Sequence, residues 1–68
     1  MEQARGILQY FNFDHLPPHL AMVAEPFQTL AFDVVVGLPD GPEKSVALRK
    51  LLESKDAAVR AALDIEGE

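Results

Sequence analysis

The sequence predicts an all-α fold: a short N-terminal segment followed by an antiparallel two-helix hairpin, assembled as a homo-oligomer. Three observations carry this. From Ser45 to Leu63, the residues Leu48, Leu52, Val59 and Leu63 recur at three- and four-residue spacings. Leu51, Ala58 and Ala62 widen the stripe, so one face is apolar at helical period. A second segment of similar length precedes it, and the two are separated by the turn-forming run Gly37-Leu38-Pro39-Asp40-Gly41-Pro42. Finally, 49% of only 68 residues are apolar and none is cysteine. A chain this short buries only about 60% of its unfolded surface, and no disulfide or thiolate metal site is available to brace it. Contact with further copies is the most direct way to cover the remaining apolar surface.

The chain reads as one helical-hairpin domain, residues 1–68. Residues 1–16 form an aromatic arm, in which Met1–Gly6 should fray and Ile7, Leu8, Tyr10, Phe11 and Phe13 crowd together. This arm is either a brief helical turn or an extended strap. Its rings either cap the open end of the hairpin core or offer a flat face for stacking on a base or sugar. Asp14-His15-Leu16-Pro17-Pro18 turns into the first helix, residues 17–36, where Pro suits the first turn and Asp14 or His15 is a candidate polar cap. Leu20, Ala24, Phe27, Ala31 and Val34 make its main stripe, and Val23, Leu30 and Val34–Val36 carry apolar surface much further round the cylinder. Pro26 removes the bond to the Met22 carbonyl, so the helix either kinks or breaks and restarts there. The β-branched triplet Val34–Val36 leans towards strand, but with no partner strand in sight helix is preferred.

Residues 37–41 form the turn, with Gly37 suited to a left-handed C-cap. The second helix covers 42–63, opened by Pro42 and Glu43. Arg49–Glu53 and Asp56–Arg60 are spaced as ion pairs on its solvent face. Lys55 falls three residues after Leu52 and four before Val59, on or beside the buried stripe. Either its stem is buried with the ammonium reaching water, or the ammonium enters a pocket between subunits. The acidic tail, 64–68, is unfavourable at a helix C-terminus and should fray.

A net charge of −5 argues against duplex nucleic acid as a partner, because many phosphates would need neutralising. A small anion needs only a few well-aimed cations. No apolar run approaches the roughly 20 residues that span a bilayer and no signal peptide is visible, so no membrane partner is expected and the compartment expected is the cytoplasm. Ser45 and Ser54 have no histidine nearby in sequence, and no glycine-rich phosphate loop follows a strand. His15 and His19 are four apart, but His15 precedes the prolines and no acidic or cysteine ligand completes a set. The expectation is therefore no enzyme, no metal and no cofactor.

An aromatic arm, "FxHLPPHL" entering the first helix, "PFxxLA" within it, a "LPDGPE" turn and "ALRKLLESKDAAVRAAL" follow in order. Over roughly Phe11 to Leu63 this resembles the small helical-hairpin proteins that phages use against cyclic-nucleotide immune signalling, the anti-CBASS and anti-Thoeris sponge family. The resemblance implies two long antiparallel helices, subunits interlocked into hexamers, and pockets between subunits. Those pockets take cyclic dinucleotides, cyclic trinucleotides or cyclic ADP-ribose derivatives without cleaving them, inside the host cell cytoplasm. Carried over by position, Phe13 matches the base-stacking aromatic, Arg60 the phosphate-contacting arginine and Thr29 a mid-helix threonine. The family's first-helix lysine has no counterpart, since Phe27 or Gln28 stands there. His15, Phe27 and Lys55 complete the ligand-binding set, with Lys55 replacing the missing charge from the other helix. The alternative is an oligomeric helical-hairpin interaction module that binds a protein partner.

Overall fold

The structure, a computed structural model, describes residues 6–67. A 3₁₀ turn, Ile7–Phe11, is followed by helix α1, Pro18–Gly37, and helix α2, Pro42–Gly67, with no strand among the described residues. The helices pack as a hairpin and the 3₁₀ turn lies against both. The body is a rod of 42 × 18 × 15 Å.

Helix α1 starts without a side-chain cap. Pro17 is the N-cap, and its carbonyl accepts from the N–H groups of Leu20 at 3.0 Å and Ala21 at 2.8 Å. Asp14 and His15 therefore do not cap it. Instead Asp14 is held by its own N–H, which donates to Asn12 Oδ1 at 2.9 Å, while the Leu16 N–H donates to the Phe13 carbonyl at 3.0 Å. These local bonds use the polar groups of the segment before the prolines are reached. Helix α1 is unbroken through Pro26. The carbonyl of Met22 that Pro26 leaves without its helical donor belongs to a residue that is 74% exposed, so water can serve it. Val34–Val36 are helical, as preferred.

The turn differs from expectation. No described glycine has positive φ, so Gly37 is not a left-handed cap and is simply the last residue of α1. The chain leaves the helix at Leu38 in extended backbone, φ −116° and ψ 147°, with the Leu38 N–H still bonded to the Val34 carbonyl at 3.2 Å. Lys44 supplies the rest. Its Nζ donates to the Val35 carbonyl at 2.7 Å, the Leu38 carbonyl at 2.8 Å and Asp40 Oδ1 at 3.0 Å. An ammonium has three protons, and all three are used. A cation at a helix C-terminus also meets the negative end of the dipole, so the lysine does what a glycine motif does elsewhere.

Equal steps outward from the Lys44–Val35 contact along both antiparallel helices bring Leu48 level with Ala31, Lys55 with Ala24 and Val59 with Leu20. The side chains that are buried follow that ladder: Leu20, Ala24, Ala31 and Val35 on α1, Lys44, Leu48 and Lys55 on α2. Phe11 fills the core beside Ala31, Val35 and Leu48, and Ile7, Leu8, Phe27, Val34, Leu51 and Leu52 pack around them. The aromatic arm therefore lies along the half of the hairpin nearest the turn rather than capping its open end. Alanines at 24 and 31 leave the space that Lys55 and Phe11 occupy.

Helix α2 runs four residues beyond the expected boundary, through Asp64–Gly67. Carboxylates in a last turn cost only about 0.3–1 kcal/mol, too little to end a helix already in progress. The expected fraying of Met1–Arg5 lies outside the described residues. Helix α1 is also 20 residues long with a mean hydropathy of 1.3, which meets the length and apolarity of a bilayer-spanning helix. That corrects the reading that no such run exists. Its two carboxylates and Pro26 interrupt the run in sequence, but over the whole helix the apolar residues prevail.

Candidate functional site

The apolar residues that are fully buried among the described ones are few: Phe11, Leu20, Ala24, Ala31, Val35 and Leu48. Against them stand Tyr10, Met22, Leu30, Phe32, Val36, Leu38, Val46 and Leu63, all large and exposed. Four of these sit on α1 and project away from α2. Two shallow grooves score that outer surface. One, of about 390 Å³, is lined by Leu8, Gln28, Thr29 and Phe32, between the 3₁₀ turn and α1. The other, of about 470 Å³ and more open, is lined by Met22, Glu25, Pro26, Thr29, Leu30 and Asp33. Thr29 forms the ridge they share. Neither groove contains a lysine or arginine.

The six residues expected to bind a ligand do not converge in one protomer. Thr29 is exposed and reaches both grooves. Phe27, two residues earlier, turns inward and packs on the core. It offers no free ring face and does not replace the family's lysine. Phe13 is half-buried in the tight turn closed by the Leu16 N–H, and His15 in that turn is exposed. Arg60 is exposed and lies level with His19 at the open end of the hairpin, the end that the Phe13–Leu16 turn joins. So Phe13, His15 and Arg60 share the open half, whereas Thr29 is ten residues up the ladder, about 15 Å away along the axis.

The cations are placed differently from the expected pairing. Asp56 Oδ1 meets Lys55 Nζ at 3.2 Å rather than Arg60. Neither Arg49 with Glu53 nor Arg60 with Asp56 forms an ion pair among the described residues. Lys55 is only 9% exposed. Its stem is buried at the Ala24 level and its ammonium ends on an exposed carboxylate, which is the snorkelling arrangement. Lys44 is the cation that sequence reasoning passed over. The signal was present, since Asp40 and Lys44 are four apart across a helix start, but nothing in a linear pattern says that a lysine in the first turn of one helix will reach back to the last turn of another. Among the described residues no three histidine, aspartate or glutamate side chains come together as a metal set.

Compared with known proteins, the chain matches no family model, no curated protein and no solved structure.

Proposed function

We propose that this chain is a non-catalytic binding protein whose copies assemble and sequester a cyclic nucleotide, a cyclic di- or trinucleotide or a cyclic ADP-ribose derivative, at the seams between them. In a host cell's cytoplasm, retention of that signal would blunt anti-phage defence. The observation that carries the reading is Arg60. Its guanidinium is exposed on the alanine-rich turns of α2, makes no ion pair among the described residues, and shares the open half of the hairpin with the Phe13 ring and His15. A phosphodiester takes charge-assisted bonds from a fork of that kind, and a base takes a flat ring. One protomer holds only part of such a set, so the seam of an oligomer is where it would be completed, and symmetry would repeat it. The resemblance in hairpin order and second-helix spacing points the same way.

Native mass spectrometry with a mixed panel of cyclic nucleotides tests this directly. The expected result is retention of one ligand class, released intact on heating, with a raised melting temperature for the loaded protein. Arg60→Ala should lower affinity by about tenfold or more while leaving unliganded melting within roughly 0.5 kcal/mol of the parent. No retained mass and no melting shift across the panel would overturn it. A second reading, a helical-hairpin module for a protein partner, is favoured by one specific observation: both grooves of α1 lack cations and one carries two carboxylates, which suits a basic peptide better than a phosphate.

A further inference from the structure

Charge is segregated between the two helices. Helix α1 contains Glu25 and Asp33 and no lysine or arginine, whereas every lysine and arginine of the described residues is on α2. Two of the α2 cations are engaged within the protomer: Lys44 in the turn and Lys55 with Asp56. Arg49, Lys50 and Arg60 are exposed on the face turned away from the core, alongside Val46, Ala47, Ala57 and Ala61. Across the rod, Met22, Glu25, Pro26, Thr29, Leu30 and Asp33 line the outer groove of α1, with Phe32 and Val36 exposed beside it. One face is apolar and acidic, and the other is basic with small residues that let a helix approach closely.

The geometry points to a head-to-tail contact in which the outer groove of α1 receives the outer face of α2 from a second copy. Register supports this pairing. Continued outward from Lys44 and Val35, the hairpin ladder puts Lys50 level with Thr29, the midpoint between Glu25 and Asp33. When one copy is laid beside the next at the same level, Arg49 and Lys50 enter between two carboxylates about 6 Å to either side along the axis. The obvious rival contact is a two-fold pairing of α1 with α1, antiparallel about Thr29. It matches Met22 to Val36 but sets Glu25 against Asp33 twice, and like charges facing each other at an apolar seam are costly. Because the two faces lie on opposite sides of the hairpin, one partner cannot engage both. The contact is heterologous and builds a ring or a filament, not a simple dyad dimer.

The inference concerns assembly alone and stands or falls without any nucleotide. Its test is the unliganded mass, by native mass spectrometry and sedimentation, of charge-reversed chains whose helicity is checked by circular dichroism. Glu25→Lys with Asp33→Lys, and separately Arg49→Glu with Lys50→Glu, should each weaken association by about tenfold or more. Mixing the two variants in equal amounts should restore it, since each then presents a face opposite in charge to the other's. A chain carrying all four reversals should again assemble by itself. Wild-type protein that stays monomeric at high micromolar concentration overturns the inference. So does an α2 reversal that leaves the mass unchanged, because α1–α1 pairing or a foreign partner on α1 would not involve Arg49 or Lys50.

Discussion

Lys44 shows how much one side chain can do in a small fold. It is 7% exposed, yet every proton of its ammonium is committed: two to carbonyls at the end of α1 and one to Asp40. Replacing it by methionine keeps most of the volume but leaves the Val35 and Leu38 carbonyls without that donor. A charged hydrogen bond to a buried acceptor contributes about 1.5–3 kcal/mol. Lys44→Met should therefore lower stability by about 2 kcal/mol or more, read as a fall in the urea midpoint, and a midpoint within error of the parent would refute the clasp. Lys55 makes the opposite case. Its ammonium meets only a neighbouring, half-exposed carboxylate, while its stem is packed against the Ala24 level. Lys55→Met keeps the packing and removes a partly desolvated charge, so stability should hold or rise slightly. A loss of ligand affinity in that variant at unchanged midpoint would show that the ammonium works between subunits.

At the scale of the helices, the sequence pattern foretold most of what formed. Leu20, Ala24 and Ala31 were legible as the inward row of α1, as were Leu48, Leu51 and Leu52 on α2, because helical period alone selects them. The aromatic arm was not. Seven apolar-rich residues carry no period, and only the vacancy beside Ala31 tells that Phe11 belongs at the turn half of the hairpin. The mode of the turn was hidden for a similar reason. A glycine after a helix signals a left-handed cap, and it took a lysine from the next helix to make that unnecessary. The candidate site was legible only residue by residue. Spacing marked Arg60 and Thr29 but could not say that they stand at different heights of the rod, nor that Phe27 faces inward. Pro26 offers a clean test at this scale. It sits in the interior of an unbroken helix, where proline costs about 3 kcal/mol relative to alanine. Pro26→Ala should raise the thermal midpoint of the protein, and a fall would mean that the ring is packed in a seam.

The whole molecule is a rod whose inner seam is narrow and whose outer α1 surface is nearly as apolar as its core. Six buried apolar side chains, two of them alanines, leave little margin. Removing the largest, by Phe11→Ala, forfeits about 3–5 kcal/mol, against a total of about 5–15 kcal/mol for a typical domain. For a body of this size that is enough to abolish the fold of an isolated protomer. The same arithmetic makes stability depend on concentration. Contacts that cover Met22, Leu30, Phe32 and Val36 exist only in the assembled state, so mass action links them to folding. The thermal midpoint should rise as protein concentration is raised a hundredfold, and added salt should lower it if Arg49 and Lys50 sit between the Glu25 and Asp33 of a neighbour, since exposed charge pairs are screened within about 8–10 Å at moderate ionic strength. A purely apolar contact would respond in the other direction, because many salts strengthen apolar burial. The sign of the salt effect on the concentration-dependent midpoint therefore separates a charge-registered head-to-tail seam from an apolar α1–α1 one, and it does so in unmodified protein.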